Sequence, residues 1–207
     1  MRDDFENFLK STGNVSDETI QKFSDYYDLL LKWQSKLNLI GNSSDDIWNR
    51  HFLDSIQIIK LLPDKNKSIL DFGTGAGFPG MVLSILGHDV TLVDSDSKKT
   101  IFLSEVKRIT KSSAKIFNGR IENLPKESFD VITSRACADL EKLLEYSYPS
   151  VSHGTECIFH KGKNHKKEIS DAEKKWHFQF AINPSITDSD GVILKLSNIT
   201  KRSGYDR

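Results

Sequence analysis

Apolar residues recur at three- and four-residue spacing from Ile20 through Phe23, Tyr27, Leu30 and Leu37, with Gln34 as the one polar break, while the opposite face of the stretch is charged. That is the period of an α-helix burying one side. Ser16, followed by Asp17 and Glu18, supplies its N-terminal cap. A second helical stretch carries Trp48, Phe52, Ile56 and Ile59, opens at Ser44-Asp45-Asp46 and is stopped by Pro63. From Ser68 the pattern changes to short apolar runs alternating with amphipathic ones. It predicts strands at 68–72, 89–94, 114–118, 129–133, 155–160, 176–182 and 191–198, and helices at 79–86, 97–109, 139–147 and 164–175. Such alternation builds a parallel sheet wound on both faces. No helix separates the last two strands, and the segment from Asn183-Pro184 to Gly191 reads as a hairpin loop, so the final strand is predicted antiparallel. The chain therefore divides into a helical extension, 1–63, and an α/β domain, 64–207, with a seven-stranded, mostly parallel sheet.

Length and composition narrow the class. A chain of 207 residues is enough for one domain with a sizeable core. No stretch approaches the roughly 20 apolar residues of a membrane span, and Asp3, Asp4 and Glu6 near Arg2 do not have the basic-then-apolar order of a secretory leader. Cys137 and Cys157 cannot supply a disulfide framework, and the six histidines show no paired metal-ligand spacing. A cytoplasmic protein without a bound metal is expected. The 29 basic and 29 acidic residues cancel but are unevenly spread, with seven basic against eleven acidic in 1–64 and twenty-two against eighteen in 65–207. Lys98 to Arg120 holds seven basic residues and one acid, and Lys161 to Lys175 six and three. Two such runs on one domain point to a phosphate-rich partner, against the plainer reading of solvated helix faces.

The candidate chemistry lies where the first strand ends. Asp71-Phe72-Gly73-Thr74-Gly75-Ala76-Gly77-Phe78-Pro79-Gly80 is a glycine-rich turn between a strand and a helix, and a second strand ends at Asp94, where a ribose hydroxyl needs an acceptor. Gly75-x-Gly77-x-x-Gly80 also reads as a dinucleotide fingerprint, so the loop alone leaves NAD and S-adenosyl-L-methionine open. A carboxylate at Asp71 would repel a pyrophosphate and suits the ammonium and sulfonium of S-adenosylmethionine. Seven strands closed by a terminal hairpin is the Rossmann-like methyltransferase layout, whereas a dehydrogenase would need a further substrate domain. By position, Gly73, Gly75 and Phe78 should line the methionine and ribose end of the cofactor, Asp71 should face its ammonium, and Asp94 its ribose. Ile121 and Glu122, after the third strand, should bracket its adenine.

Further strings, in order along nearly the whole chain, carry a specific likeness: Lys32-Trp33 with Asn38-Leu39, Arg50-His51-x-Leu53-Asp54-Ser55, Asp71-x-Gly73-Thr74-Gly75-x-Gly77-x-Pro79-Gly80, Arg120-Ile121-Glu122, Ser134-Arg135-Ala136-x-Ala138-x-Leu140 and Lys161-Gly162. In these the chain resembles the bacterial 16S ribosomal RNA (guanine-N7) methyltransferases, the RsmG or GidB family. Ile40, His160 and Asp190-Gly191 depart from its pattern. The resemblance implies an S-adenosylmethionine-dependent enzyme, most plainly a monomer, acting on 16S rRNA of the small ribosomal subunit in the region of the 530 loop. It also implies Arg135 at the mouth, holding either the cofactor carboxylate or the RNA, with Asn38, His51 and Lys161 as substrate-side positioning candidates.

Guanine N7 has an in-plane lone pair and no proton to lose, so its methylation needs no general base, and positioning alone can supply about 7–11 kcal/mol. Exocyclic-amine methylation would call for an Asn/Asp-Pro-Pro-aromatic turn where Ser134-Arg135-Ala136 stands. Cytosine-C5 methylation needs a cysteine nucleophile; Cys137 follows the right strand but lacks a preceding proline, and reads as a small buried thiol. Methylation of another RNA base or a small molecule, and a non-catalytic cofactor-binding RNA module, stay open on the sequence.

Overall fold

The computed structural model describes residues 2–13, 15–41, 46–62 and 67–202. The expected helix start at Ser44-Asp45 and stop at Pro63 lie outside them. Helix α1 (Arg2–Ser11), which the sequence reading did not include, buries Phe5 and Leu9, one turn apart on one face. Helix α2 (Asp17–Gln34) starts where predicted, the Ser16 hydroxyl accepting from the Thr19 amide at 3.2 Å. It ends at its polar break. Gln34 Oε1 accepts from the amides of Leu39 and Ile40 at 2.8 and 3.1 Å and Nε2 donates to the Gly41 carbonyl at 3.0 Å, so the side chain takes up the backbone groups of the turn instead of the helix continuing to Leu37.

The second helical stretch is not one regular helix. A π-turn (Trp48–Leu53) runs into α3 (Asp54–Ile56) and a 3-10 turn (Gln57–Leu61). Within it the Asp54 amide bonds the carbonyls of Asn49 and His51.

Strands β1 (Ser68–Phe72), β2 (Asp89–Asp94), β3 (Lys115–Asn118), β4 (Val131–Arg135), β5 (Glu156–Lys161), β6 (Trp176–Pro184) and β7 (Val192–Lys201) form one sheet in the order β3-β2-β1-β4-β5-β7-β6. All pairings are parallel except those of β7, which runs antiparallel to both β5 and β6. Helices α4 (Gly80–Ile85), α5 (Ser97–Thr110), α6 (Leu140–Ser147) and α7 (His165–Ala172) link the strands. Chain order reverses between β1 and β4, which opens a crevice at their carboxyl ends.

Alternation along the strands sorts the core into two. Ile69, Val90, Leu92, Val131, Ile158 and Ile193 face α4 and α5, while Leu70, Phe72, Val93, Ile132, Phe159 and Leu194 face α6 and α7. Phe5, Phe23, Tyr26, Leu30 and Phe52 of the N-terminal helices are buried in the first of these cores. The extension therefore shares a core with the sheet, and Tyr26 reaches from α2 to donate a hydrogen bond to the Ala76 carbonyl in the glycine turn.

Candidate functional site

The glycine turn is closed from within by Asp71. Its carboxylate is fully buried, and Oδ2 accepts from the Thr74 hydroxyl at 2.5 Å and from the Gly80 amide at 2.9 Å. The first amide of α4, which a dinucleotide fold would offer to a pyrophosphate, is thus occupied by the chain's own anion. A Cβ on Gly80 would lie 2.6 Å from that Oδ2, so only glycine lets the turn come this close. Burial pushes the Asp71 carboxyl up to about 7, against the lowering effect of the Thr74 and Gly80 hydrogen bonds. Its Oδ1 is buried with no hydrogen-bond partner among the described residues.

In front of the turn lies a cavity of about 370 Å³, lined among others by Phe72, Gly73, Asp94, Ile121, Glu122 and Cys137. Asp94 ends β2 with Oδ2 accepting from the Gly75 amide (2.8 Å) and Oδ1 from the Asp96 amide (2.9 Å), which fixes its carboxylate while leaving lone pairs for hydroxyl donors. Ile121 and Glu122 stand on a 3-10 turn (Ile121–Asn123) after β3, and the Phe72, Tyr146 and Ile121 side chains give the cavity its apolar walls. The donor set fits S-adenosylmethionine: a fixed carboxylate for a ribose and apolar walls for an adenine.

Beyond Ala136, which holds a left-handed conformation (φ 53°), the crevice continues as a chamber lined by Asp54, Arg135 and Asp188. Arg135 ends β4 beside His160 of β5. Its guanidinium turns toward the N-terminal helices, donating from Nη1 to the Arg50 carbonyl and to Asp54 Oδ2, both at 2.9 Å, and from Nη2 to His51 Nδ1 at 2.8 Å. Because a guanidinium only donates, His51 Nδ1 carries no proton; burial and then the Arg135 charge push its pKa down to about 3. Burial likewise lowers the pKa of His160, whose Nε2 donates to the Asp54 carbonyl at 2.9 Å. Burial also disfavours the Asp54 charge, but the imidazole, guanidinium and Thr187 hydroxyl around it more than offset that and hold its carboxyl below the usual range.

The family model described as rRNA small subunit methyltransferase G (GidB) matches residues 19–196. The chain belongs to the rRNA small subunit methyltransferase G family. It is 41% identical to the ribosomal RNA small subunit methyltransferase G of Paramagnetospirillum magneticum, over 95% of this chain and 96% of that one. With the protein of the same name from Rickettsia bellii it shares 38% identity over 91% and 98%. Among solved structures it is similar in fold to a ribosomal protein L11 methylase from Lactobacillus delbrueckii subsp. bulgaricus (TM-score 0.60, 16% identity, 72% of this chain and 78% of that one). It is also similar to a TehB-like SAM-dependent methyltransferase from Corynebacterium glutamicum (TM-score 0.55, 16% identity, 84% and 98%).

Placed on this methyltransferase G scaffold, Gly73, Asp94, Ile121 and Glu122 come together at one cavity, and Arg135, His51 and Lys161 line the chamber beyond it. Gly75 acts through its amide on Asp94. Several expectations need correction. Phe78 does not line the cofactor cavity; it is buried between the Tyr26 ring, stacked at 5.4 Å, and the Arg135 guanidinium at 5.2 Å, because α2 closes over the turn. Asp71 faces inward to the turn and α4, held by its own backbone, and is not part of the cavity lining. Lys161 is tied up by Glu168 at 2.5 Å and the Ala138 carbonyl at 2.9 Å, with its side chain 7% exposed, so it fastens β5 to α7. Asn38 is exposed on the extension, bonded to Gln34, and lines none of these cavities. Cys137 is exposed rather than buried; its Sγ takes the space where a Cβ on Gly73 would come within 2.7 Å, and burial of the thiol face nonetheless pushes its pKa up. Asp54, Thr187 and Asp188 were missed as site residues. Asp54 falls inside the Arg50-His51-x-Leu53-Asp54-Ser55 string, but nothing local in the sequence pairs it with Arg135, 81 residues on.

Proposed function

We propose that this protein transfers the methyl group of S-adenosylmethionine to N7 of one guanine in 16S rRNA, in the 530-loop region of the small ribosomal subunit. Its family is one of S-adenosylmethionine-dependent rRNA methyltransferases, and the chain is an enzyme of that kind. The observation that carries the finer reading is the junction at Ala136, where the cavity of Asp94, Ile121 and Glu122 meets the Arg135 chamber.

The cofactor supplies an electrophilic methyl on a sulfonium. Asp94 orients the ribose end, the Phe72, Tyr146 and Ile121 walls exclude water, and Ala136 forms the threshold across which the base must approach. Bound there, the cofactor would supply a methyl that the N7 lone pair could take as the C–S bond breaks, the charge passing from sulfur to the guanine ring. No proton moves. His51, held neutral by burial and the Arg135 charge, and Cys137, whose thiol is not activated, are consistent with a site that positions rather than ionises. A 16S rRNA substrate places the enzyme's work, on this reading, in the cytoplasm with the small subunit, and we propose that it works there as a monomer; no helix among the described residues is long and apolar enough to cross a membrane.

Mass spectrometry of 16S rRNA from a deletion strain, with restoration by the purified chain and cofactor, tests this. Loss and return of one 7-methylguanosine is the expected result; a mark on another base, or only on a small molecule, would replace the assignment.

A further inference from the structure

The Asp54 carboxylate is where four segments meet. Oδ1 accepts from Gln57 Nε2 and from the Thr187 hydroxyl of the β6–β7 loop, each at 2.7 Å, and Oδ2 takes Arg135 at 2.9 Å with His160 Nε2 3.7 Å away. The β6–β7 loop is fastened a second time by the Ile186 amide donating to Gln57 Oε1 at 3.0 Å. Both partners of the Asp54–Arg135 pair are only 16% exposed. Burying such a pair costs much of what its attraction returns, so the arrangement contributes little net stability; what it provides is a fixed direction for the guanidinium.

That direction leaves specific donors over. Arg135 has five N–H groups, of which Nη1 uses both, on Arg50 and Asp54, and Nη2 uses one, on His51. Nε–H and the second Nη2 hydrogen have no partner among the described residues, and one face of the group is covered by the Phe78 ring. Guanine presents O6 beside N7 on the same edge, so an N–H donor placed next to the methyl can hold O6 while the N7 lone pair stays free for transfer. A base with an amino group at that position would set donor against donor.

Building on the guanine-N7 reading, we propose that Asp54 is a positioning residue that aims the spare donors of Arg135 at O6 of the target guanine, and so sets the choice of base. The test uses the full-length protein, S-adenosylmethionine, and small-subunit RNA carrying either guanine or 2,6-diaminopurine at the target position; diaminopurine keeps N7 and replaces O6 by an amine. Wild type should methylate the guanine RNA with much the higher kcat/KM. Asp54→Asn, with its cofactor affinity measured by calorimetry and unchanged, should lose about a hundredfold in kcat/KM on guanine and a smaller factor on diaminopurine, so that discrimination narrows. In an Arg135→Ala background the same substitution should change neither rate further.

Where Asp54→Asn does not fold, Asp54→Glu, which keeps the charge and displaces it by one methylene, carries the same measurements. Equal losses on both bases, or an undiminished effect without Arg135, would make Asp54 merely structural and overturn the inference. A cofactor affinity that falls in step with turnover would move Arg135 to the cofactor side and overturn it as well. If wild type methylates no guanine in either RNA, the reading beneath it fails instead, a result separate from any of these.

Discussion

Asp71 shows how one residue can serve a cofactor loop without touching the open cavity. Its Oδ2 spans Thr74 and Gly80 while Oδ1 has no partner among the described residues, so the ionised form is solvated only in part. The carboxyl therefore titrates near 7 in the fold against an ordinary value of 3.8, and burial is the leading cause. A native state that binds the proton more tightly than the unfolded one is favoured below the unfolded pKa and loses that advantage as pH rises through the native one. Stability of the apoprotein should accordingly fall between about pH 4 and 7 through this group, and Asp71→Asn should flatten that part of a pH series of urea denaturations; an unchanged slope would remove Asp71 as its source. Asp94 does line the open cavity, its carboxylate fixed by two amides at 2.8 and 2.9 Å. Asp94→Ala should weaken S-adenosylmethionine binding by about 1–3 kcal/mol through loss of a charge-assisted acceptor, and calorimetry giving wild-type affinity would take it out of the site.

Among the elements, the strands were legible because each face is buried: β1 and β2 were read to the residue, since a one-residue slip would turn Ile69 or Val90 to the wrong core. Capped helices were legible for the same local reason, with Ser16, Asp96 and Asp139 each accepting from an amide of the first turn. What escaped was nonlocal. Nothing in the apolar spacing of Trp48, Phe52 and Ile56 distinguishes a π-turn from an α-helix, nor announces that Arg135 bonds the Arg50 carbonyl within it. Phe78 was misplaced likewise, because the chain that covers it, Tyr26, lies some fifty residues earlier. The Tyr26 contact makes a prediction for the α2 element as a whole. Tyr26→Phe keeps the ring stack but leaves the Ala76 carbonyl unsatisfied in a buried turn, so it should cost about 1–3 kcal/mol of stability and weaken cofactor binding, both measurable by thermal shift with and without S-adenosylmethionine. An unaffected cofactor shift would mean that the extension does not brace the loop.

For the molecule entire, neutrality conceals a division that bears on RNA binding. The first 64 residues are acidic on balance and the rest basic, and parts of the basic runs reach the crevice: Lys99 and Arg120 line the cofactor cavity, while Lys163 follows β5, whose last residue Lys161 lines the Arg135 chamber. Ion pairs sort these charges further. Arg108 is held by Glu105, Lys115 by Asp89 and Lys167 by Asp171, whereas Lys98, Arg120, Lys163 and Lys166 form no salt bridge among the described residues. A lysine already neutralised by a carboxylate releases few counterions when a phosphate replaces it; a free one contributes fully. Binding of a small-subunit RNA should therefore weaken with salt at a log–log slope of about −0.7 to −0.9 for each phosphate neutralised, and Lys98→Ala, Arg120→Ala or Lys163→Ala should each flatten it by about one unit. Lys115→Ala and Lys167→Ala should move it much less. Free guanosine monophosphate, which brings neither register nor a run of phosphates, should be a poor substrate. Equal turnover of the mononucleotide and the subunit RNA, with no dependence on salt, would mean that the basic runs are ordinary solvated surface and that the RNA is held elsewhere.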